Sequence, residues 1–365
     1  MSGQTKFSIE EPVDPLLGQT VSDYEIMELI GAGGWSRVYK ARHKKDDDIY
    51  AIKVLHSHLL FDKESLIRFE REANSGVSLS HANICRVFDY DRLATGQPYI
   101  VMEYLKGESL ASILKRRGKL AEAAAVPTFA ACLDGLQAAH DKGIVHRDVK
   151  PANIFILDAP DSSVKLLDFG MAKIIVGTQP DLTLTGTAFG TVQYMSPEQV
   201  LGQAIDGRSD LYSLGCVMYE ALTGKKVFEG ATAFGVMDQH VRAAAKVFRD
   251  VDPNTRISPA VEQLVMKALS KEATDRFQSA GEMRASLVKC AGDDVAQVGS
   301  AASIGGALQG LPETADGDNA TAGKRQIDGG GIIGTRLQPH FSWILLVAVL
   351  ALAIVSVFIA TGPLK

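Results

Sequence analysis

The amino-acid sequence predicts an α+β molecule of two lobes, a small β-rich lobe with one main helix and a larger, mostly α lobe, followed by a C-terminal transmembrane helix. Three observations carry that expectation. Residues 24–30, 37–42 and 49–55 alternate or cluster apolar side chains between Gly-rich and Lys-Lys-Asp-Asp-Asp turn signals, the pattern of an antiparallel meander. From residue 109 onward the apolar spacing becomes helical. Residues 341–360 carry no charge, close to the ~20 residues that cross ~30 Å of hydrocarbon as a helix.

Taken in order, residues 62–79 are charged but place Leu66, Phe69 and Ala73 at helical spacing, which predicts the main helix of the small lobe. Residues 87–90 and 98–104 read as two further strands. Helical signals fill 109–142, short apolar strands flank 146–153, and 211–222, 233–241, 260–269 and 280–288 are helix candidates. Residues 291–340 shift to Gly, Ala, Ser, Asp and Gln with few aromatics, a composition that cannot repay the entropy of folding. The expected organisation is therefore an N-terminal extension (1–20), a two-lobed domain (21–290, dividing near 105), a flexible tether (291–340) and a membrane helix (341–360). No internal repeat of fixed period argues for a solenoid or propeller.

With 365 residues, 46% hydrophobic and 22% charged, the chain can bury a sizeable core. A net charge of -5 argues against nucleic acid as a partner. Cys85, Cys132, Cys216 and Cys290 lack metal or disulfide spacing and fit buried apolar filler in a reducing compartment. The first twenty residues lack the apolar run of a secretory signal. In the charge-free segment, Trp343 suits an interfacial anchor and Ser356 is the one polar residue within 344–359, so no polar face marks a core helix. Residues 361–365 are too few for an external sensor domain. Lys324, Arg325 and Arg336 before the segment, against Lys365 after it, agree with the folded part lying on the cytosolic side of the cell membrane.

The chemistry concentrates in two stretches. Residues 146–153 read His-Arg-Asp-Val-Lys-Pro-Ala-Asn, and Asp168-Phe169-Gly170 follows. Phosphoryl transfer needs a carboxylate to receive a hydroxyl proton, and carboxylate and amide oxygens to hold Mg²⁺; this layout offers all three. Upstream, residues 31–38 read Gly-Ala-Gly-Gly-Trp-Ser-Arg-Val, a Gly-rich turn whose amides can approach phosphate oxygens, with Ser36 where a third glycine would stand. A strand follows it rather than a helix, which disfavours a dinucleotide fold. Trp35 at the tip could rest on substrate, on the neighbouring helix, or on nothing.

In this order and at this spacing the motifs resemble the protein-kinase family over about residues 24–289. The resemblance implies a two-lobed kinase fold in which Ile30, Gly31, Gly33, Val38 and Ala51 line the nucleotide. Lys53 would contact the phosphates and pair with Glu72. Met102 would be the gatekeeper, and main-chain groups of Glu103 and Leu105 would bond adenine. Asp148 would orient the attacking hydroxyl, Lys150 stabilise the transferred phosphoryl group, and Asn153 and Asp168 hold the metal. Glu198, in Ser196-Pro197-Glu198, would pair with Arg276, and Asp210 would brace the catalytic loop.

Lys150, two residues after Asp148, is the serine/threonine-kinase pattern, and residues 190–199 and 239–241 resemble the eukaryotic-type kinases of bacteria. Arg147 implies a phosphate on the activation segment, which points to autophosphorylation at Thr183, Thr185 or both, with Thr191 contacting Asp148 and Lys150. Gly76, one turn beyond Glu72 where such kinases carry an apolar side chain, implies a loosely held helix. The implied function is ATP- and Mg²⁺-dependent (Mn²⁺ substituting) phosphorylation of Ser/Thr in protein substrates by a membrane-tethered enzyme, with pairing of kinase domains for phosphorylation in trans. The alternatives are a catalytically weak pseudokinase scaffold and a small-molecule phosphotransferase. A missing catalytic residue would mark the scaffold, whereas Lys53, Glu72, Asp148, Asn153 and Asp168 are all present.

Overall fold

The computed structural model describes residues 14–159, 164–169, 192–290 and 292. All of these lie in one compact unit, Met1–Thr314; a second unit, Ala315–Lys365, falls outside the described residues. The N-terminal part is an antiparallel sheet of six strands in the order β1-β2-β3-β4-β6-β5. Its members are β1 (Thr20–Val21), β2 (Tyr24–Ala32), β3 (Ser36–His43), β4 (Ile49–Leu55), β5 (Val87–Arg92) and β6 (Pro98–Glu103). The three expected meander strands are β2, β3 and β4; β1, two residues long, carries no period a sequence could reveal.

Alternation decides which side chains meet. On one face Tyr39, Ile52, Val54, Tyr99 and Val101 are buried together beneath Leu16 and Leu93. On the other, Leu55 and Ile100 receive Phe69 and Ala73 from α1 (Lys63–Ser78). The helix starts where Asp62 accepts the Glu64 amide at 3.2 Å, an N-cap that satisfies a donor the first turn would otherwise leave orphaned. Burying Phe69 contributes about 1.5–3 kcal/mol, more than any exposed charge on the helix.

Gly76 does not leave α1 loose. A Cβ there would lie 2.4 Å from Val87 Cγ2, because the β5 side chain already fills the space. The expectation of a loosely held helix rested on the side chain missing at Gly76; Val87 of β5 occupies that space.

The C-terminal part is built on two long helices, α3 (Glu122–His140) and α5 (Gly207–Thr223), whose apolar positions form the largest core with Phe129, Leu133, Leu136, Leu211, Leu214 and Val217. The shorter α2 (Leu110–Arg117), α4 (Pro197–Val200), α6 (Ala233–Arg242), α7 (Phe248–Val251), α8 (Pro259–Ala268) and α9 (Ala280–Cys290) complete the helical set among the described residues. A three-stranded sheet of β7 (Gly107–Ser109), β8 (Ile154–Leu157) and β9 (Val164–Leu166) lies at the front of this part. Gly107 is required there: at φ +148° a Cβ would stand 2.0 Å from the Ile156 carbonyl oxygen.

Cys85, Cys132 and Cys216 are buried, as expected of apolar filler, and Cys290 is half-buried. No helix among the described residues is long and apolar enough to cross a membrane. The expected span at 341–360 lies outside the described residues, as does the tether before it.

Candidate active site

The cleft takes one wall from the sheet and the other from the loop between α3 and β8. Register places its upper residues: Gly31 faces Val38 across the first hairpin, Val38 faces Lys53, and Ala51 faces Met102. Ile30 is exposed beside the Gly-rich turn and Ala51 is buried. Gly33 donates its amide to the Ser36 carbonyl at 2.9 Å, closing the turn, and Ser36 is buried where a third glycine was absent. Trp35 rests on the neighbouring helix, with the Arg68 guanidinium carbon 5.4 Å from its ring centroid. The helix contact is one of the three placements the sequence left open.

At the end of β6, the Glu103 amide donates to the Arg86 carbonyl at 2.9 Å, while its carboxylate accepts from the Arg86 amide and from Lys165 Nζ, each at 2.7 Å. The Glu103 carbonyl is thus the main-chain group left to serve adenine at this residue. Leu105 follows, half-buried, past the strand end.

Lys53 sits between two carboxylates. Its ammonium donates to Glu72 Oε1 at 2.6 Å and to Asp168 Oδ1 at 2.8 Å. The Glu72 pair was expected; the Asp168 contact, made across 115 residues, was not. Burial works against the Lys53 ammonium, but Asp168 and Glu72 outweigh it and hold its pKa above the ordinary value. Burial also works against the Asp168 carboxylate, and Lys53 outweighs it to hold that group low. One ammonium cannot neutralise both the buried Glu72 carboxylate and the half-buried Asp168 carboxylate. Glu72 is the member that loses: burial first, and the Asp168 charge after it, push its carboxyl up against the pull of Lys53. Among the described residues, its Oε2 has no hydrogen-bond partner.

Below the cleft, Asp148 accepts from Lys150 Nζ at 2.6 Å, and Asn153 Nδ2 donates to the Asp148 carbonyl at 2.9 Å. That contact uses the amide nitrogen of Asn153 and leaves its oxygen as the atom able to face a cation. Arg147 and Asp168 both adopt left-handed backbone, at φ 66° and 58°, a conformation that costs non-glycine residues on the order of 1–3 kcal/mol and persists only where surroundings enforce it. The enforcement at Arg147 is visible. Asp210, buried at 1% exposure, accepts the amides of His146 and Arg147, each at 2.8 Å. His140 Nε2 donates to the same carboxylate at 2.8 Å. Asp210 was expected from sequence, whereas His140, seventy residues away, carried no signal.

The end of the activation segment is anchored twice. Arg276 makes a bidentate pair with Glu198 at 2.7 and 2.9 Å, both deeply buried, and Ser209 donates to Glu198 at 2.6 Å. Gln199 closes a capping box with Ser196 at the start of α4 and donates its side-chain amide to the Arg147 carbonyl at 2.8 Å. The Ser-x-x-Gln spacing with Pro197 at the first helical position is a readable helix start, so this link to the catalytic loop had a signal. Gly170, Thr183, Thr185 and Thr191 lie outside the described residues.

The donor set fits Mg²⁺ rather than a self-sufficient metal cage. Among the described residues no group of three or more His, Cys, Asp or Glu could hold an ion alone. Asn153 and Asp168 offer two hard oxygens, and Mg²⁺ is commonly bound by one or two carboxylates together with substrate phosphates. The uncompensated charge around Lys53 favours a cation there.

A family profile described as "Protein kinase domain" matches residues 24–286. The chain is similar to the serine/threonine-protein kinase PknB of Mycolicibacterium smegmatis, 41% identical over 278 residues that cover 74% of this chain and 43% of that protein. It is likewise 40% identical to the serine/threonine-protein kinase pkn3 of Myxococcus xanthus over 280 residues, 75% of this chain and 51% of that one. The chain thus spans about two fifths to one half of the length of these curated relatives. The crystal structure of the Mycobacterium tuberculosis PknI kinase domain superposes with a TM-score of 0.58 at 25% identity, covering 76% of this chain and 98% of that domain.

Proposed function

The chain belongs to the protein kinase family, and from that premise we propose that it is an ATP-dependent protein serine/threonine kinase. The observation that carries this reading is the single Lys53 ammonium, 2.6 Å from Glu72 and 2.8 Å from Asp168, facing an Asp148–Lys150 pair at 2.6 Å. Each side chain then has one task. Lys53, fixed by Glu72, meets phosphate oxygens of ATP with an ammonium that cannot readily lose its proton. Asp148 accepts the proton of the attacking Ser or Thr hydroxyl. Lys150 opposes negative charge on the group in transfer, in a site where preorganised charge needs no reorientation. Asn153 and Asp168 would hold Mg²⁺, which when bound neutralises phosphate charge. The hinge carbonyl of Glu103 and the main chain of Leu105 orient adenine, with Met102 beside them.

Further parts of the reading rest on sequence. A tether and membrane helix hold the domain at the cytosolic face of the cell membrane, supported by the charge-free run at 341–360. Autophosphorylation at Thr183, Thr185 or both supplies the phosphate that Arg147 pairs with, and domain pairing allows it in trans. The pseudokinase reading is disfavoured because each residue of the transfer set is present and brought to one cleft. Incubation with radiolabelled ATP, Mg²⁺ and a generic protein substrate tests the proposal, with label expected on Ser or Thr.

A further inference from the structure

The Gly-rich turn is held by more than its own hairpin. His56, just beyond β4, donates Nε2 to the Gly33 carbonyl at 2.7 Å and its amide to the Trp35 carbonyl at 2.9 Å. These bonds fix the main chain at the tip. The Trp35 ring, 37% exposed, is held separately, with the Arg68 guanidinium over it at 5.4 Å. Glu64, one turn earlier on α1, orients Arg68 through an ion pair at 2.9 Å. Arg68 and Glu72 are four residues apart on this helix, so both project from one face one turn from each other. A movement of α1 that carries Glu72 away from Lys53 would also withdraw Arg68 from Trp35.

We propose that Trp35 is a positioning residue which, through its ring contact with Arg68, couples closure of the Gly-rich turn over the nucleotide phosphates to the inward placement of α1. The inference rests on the kinase reading for its ligand, ATP or ADP with Mg²⁺. A large aromatic ring left partly in water gains little from burial where it stands; its contact with a cation gives it a use. Cation–π contacts at exposed sites correspond to a roughly two- to fivefold effect on an equilibrium constant.

The test is calorimetric titration of the full chain with ADP and Mg²⁺. Trp35→Ala and Arg68→Ala are each expected to weaken binding about two- to fivefold, and the double variant no more than either alone. Trp35→Phe should retain most of the affinity, and Glu64→Ala separates loss of the ring contact from loss of the helix ion pair. Trp35 and Trp343 are the chain's two tryptophans, so in a Trp343→Phe background the emission should shift on adding ADP and Mg²⁺, and the shift should vanish with Arg68→Ala. Losses that multiply in the double variant, or an Arg68→Ala protein that binds as the parent does, overturn the coupling even where phosphate transfer is intact. Coupled losses in a protein that binds nucleotide without transferring phosphate would support the coupling and remove the kinase reading. A parent protein that binds no nucleotide overturns both.

Discussion

Lys53 is the residue on which the site turns, because its ammonium, carried by β4, pairs at once with Glu72 of α1 and with Asp168. Lys53→Met should lower phosphate transfer at least about 100-fold, the scale of removing one preorganised charge from a transfer site, with the circular dichroism spectrum unchanged. Arg276 serves a structural end. Truncating it leaves Glu198 buried and unpaired, so Arg276→Ala should lose roughly 3–5 kcal/mol of stability near neutral pH, read by denaturant unfolding. The pH dependence has a definite sign. Burial works against the Glu198 carboxylate, but hydrogen bonds from Arg276 and Ser209 outweigh it and depress the folded pKa below the ordinary 4.5. A depressed carboxylate stabilises fully above its unfolded pKa and loses that contribution as pH falls through the folded one. The stability gap between the parent and Arg276→Ala should therefore narrow as the pH falls below about 4.5. A gap that widens toward acid would contradict the assignment.

At the scale of elements, helix α1 decides whether Lys53 has its partner, and its fit against β5 is tight. Gly76→Leu should cost about 1–3 kcal/mol, the usual range for overpacking, and reduce activity by displacing Glu72. Pairing it with Val87→Ala should restore part of both, measured as thermal unfolding and phosphate transfer. Unchanged stability in Gly76→Leu would mean that Val87 does not fill the space. The same helix shows what a sequence makes legible. Its apolar spacing at Leu66, Phe69 and Ala73 marks its extent almost to the residue, as alternation does for β2 to β4. The short β1 and β7 lack room for any period, and the Val87 contact depends on a strand that local pattern cannot place against Gly76. Within the site, Lys53, Glu72, Asp148, Asn153 and Asp168 were readable because their chemistry recurs at fixed spacing. His140, Lys165 and Ser209 were not, since each acts through a partner made near only by folding.

For the whole molecule, deletion of residues 341–365 should release the protein from membranes and leave intrinsic phosphate transfer unchanged, because a Gly-rich tether transmits little mechanical constraint. Fractionation and an assay of both forms check this; full-length protein recovered in the soluble fraction without detergent would remove the anchor. Among the described residues, contacts that join the sheet side to the helical part include Lys53 with Asp168 across the cleft, Lys165 with Glu103, and Cys85 and Asn83 bonding the main chain at Leu166. Those contacts link the sheet that carries the Gly-rich turn to the loop at 146–153, parts that have separate cores. The most direct test of the central claim measures label passing from radiolabelled ATP to Ser or Thr of a protein substrate, for purified parent protein and Asp148→Asn side by side. The account predicts incorporation by the parent and none above background by a folded Asp148→Asn protein; equal incorporation by both, or none by a parent that binds ATP, would contradict it.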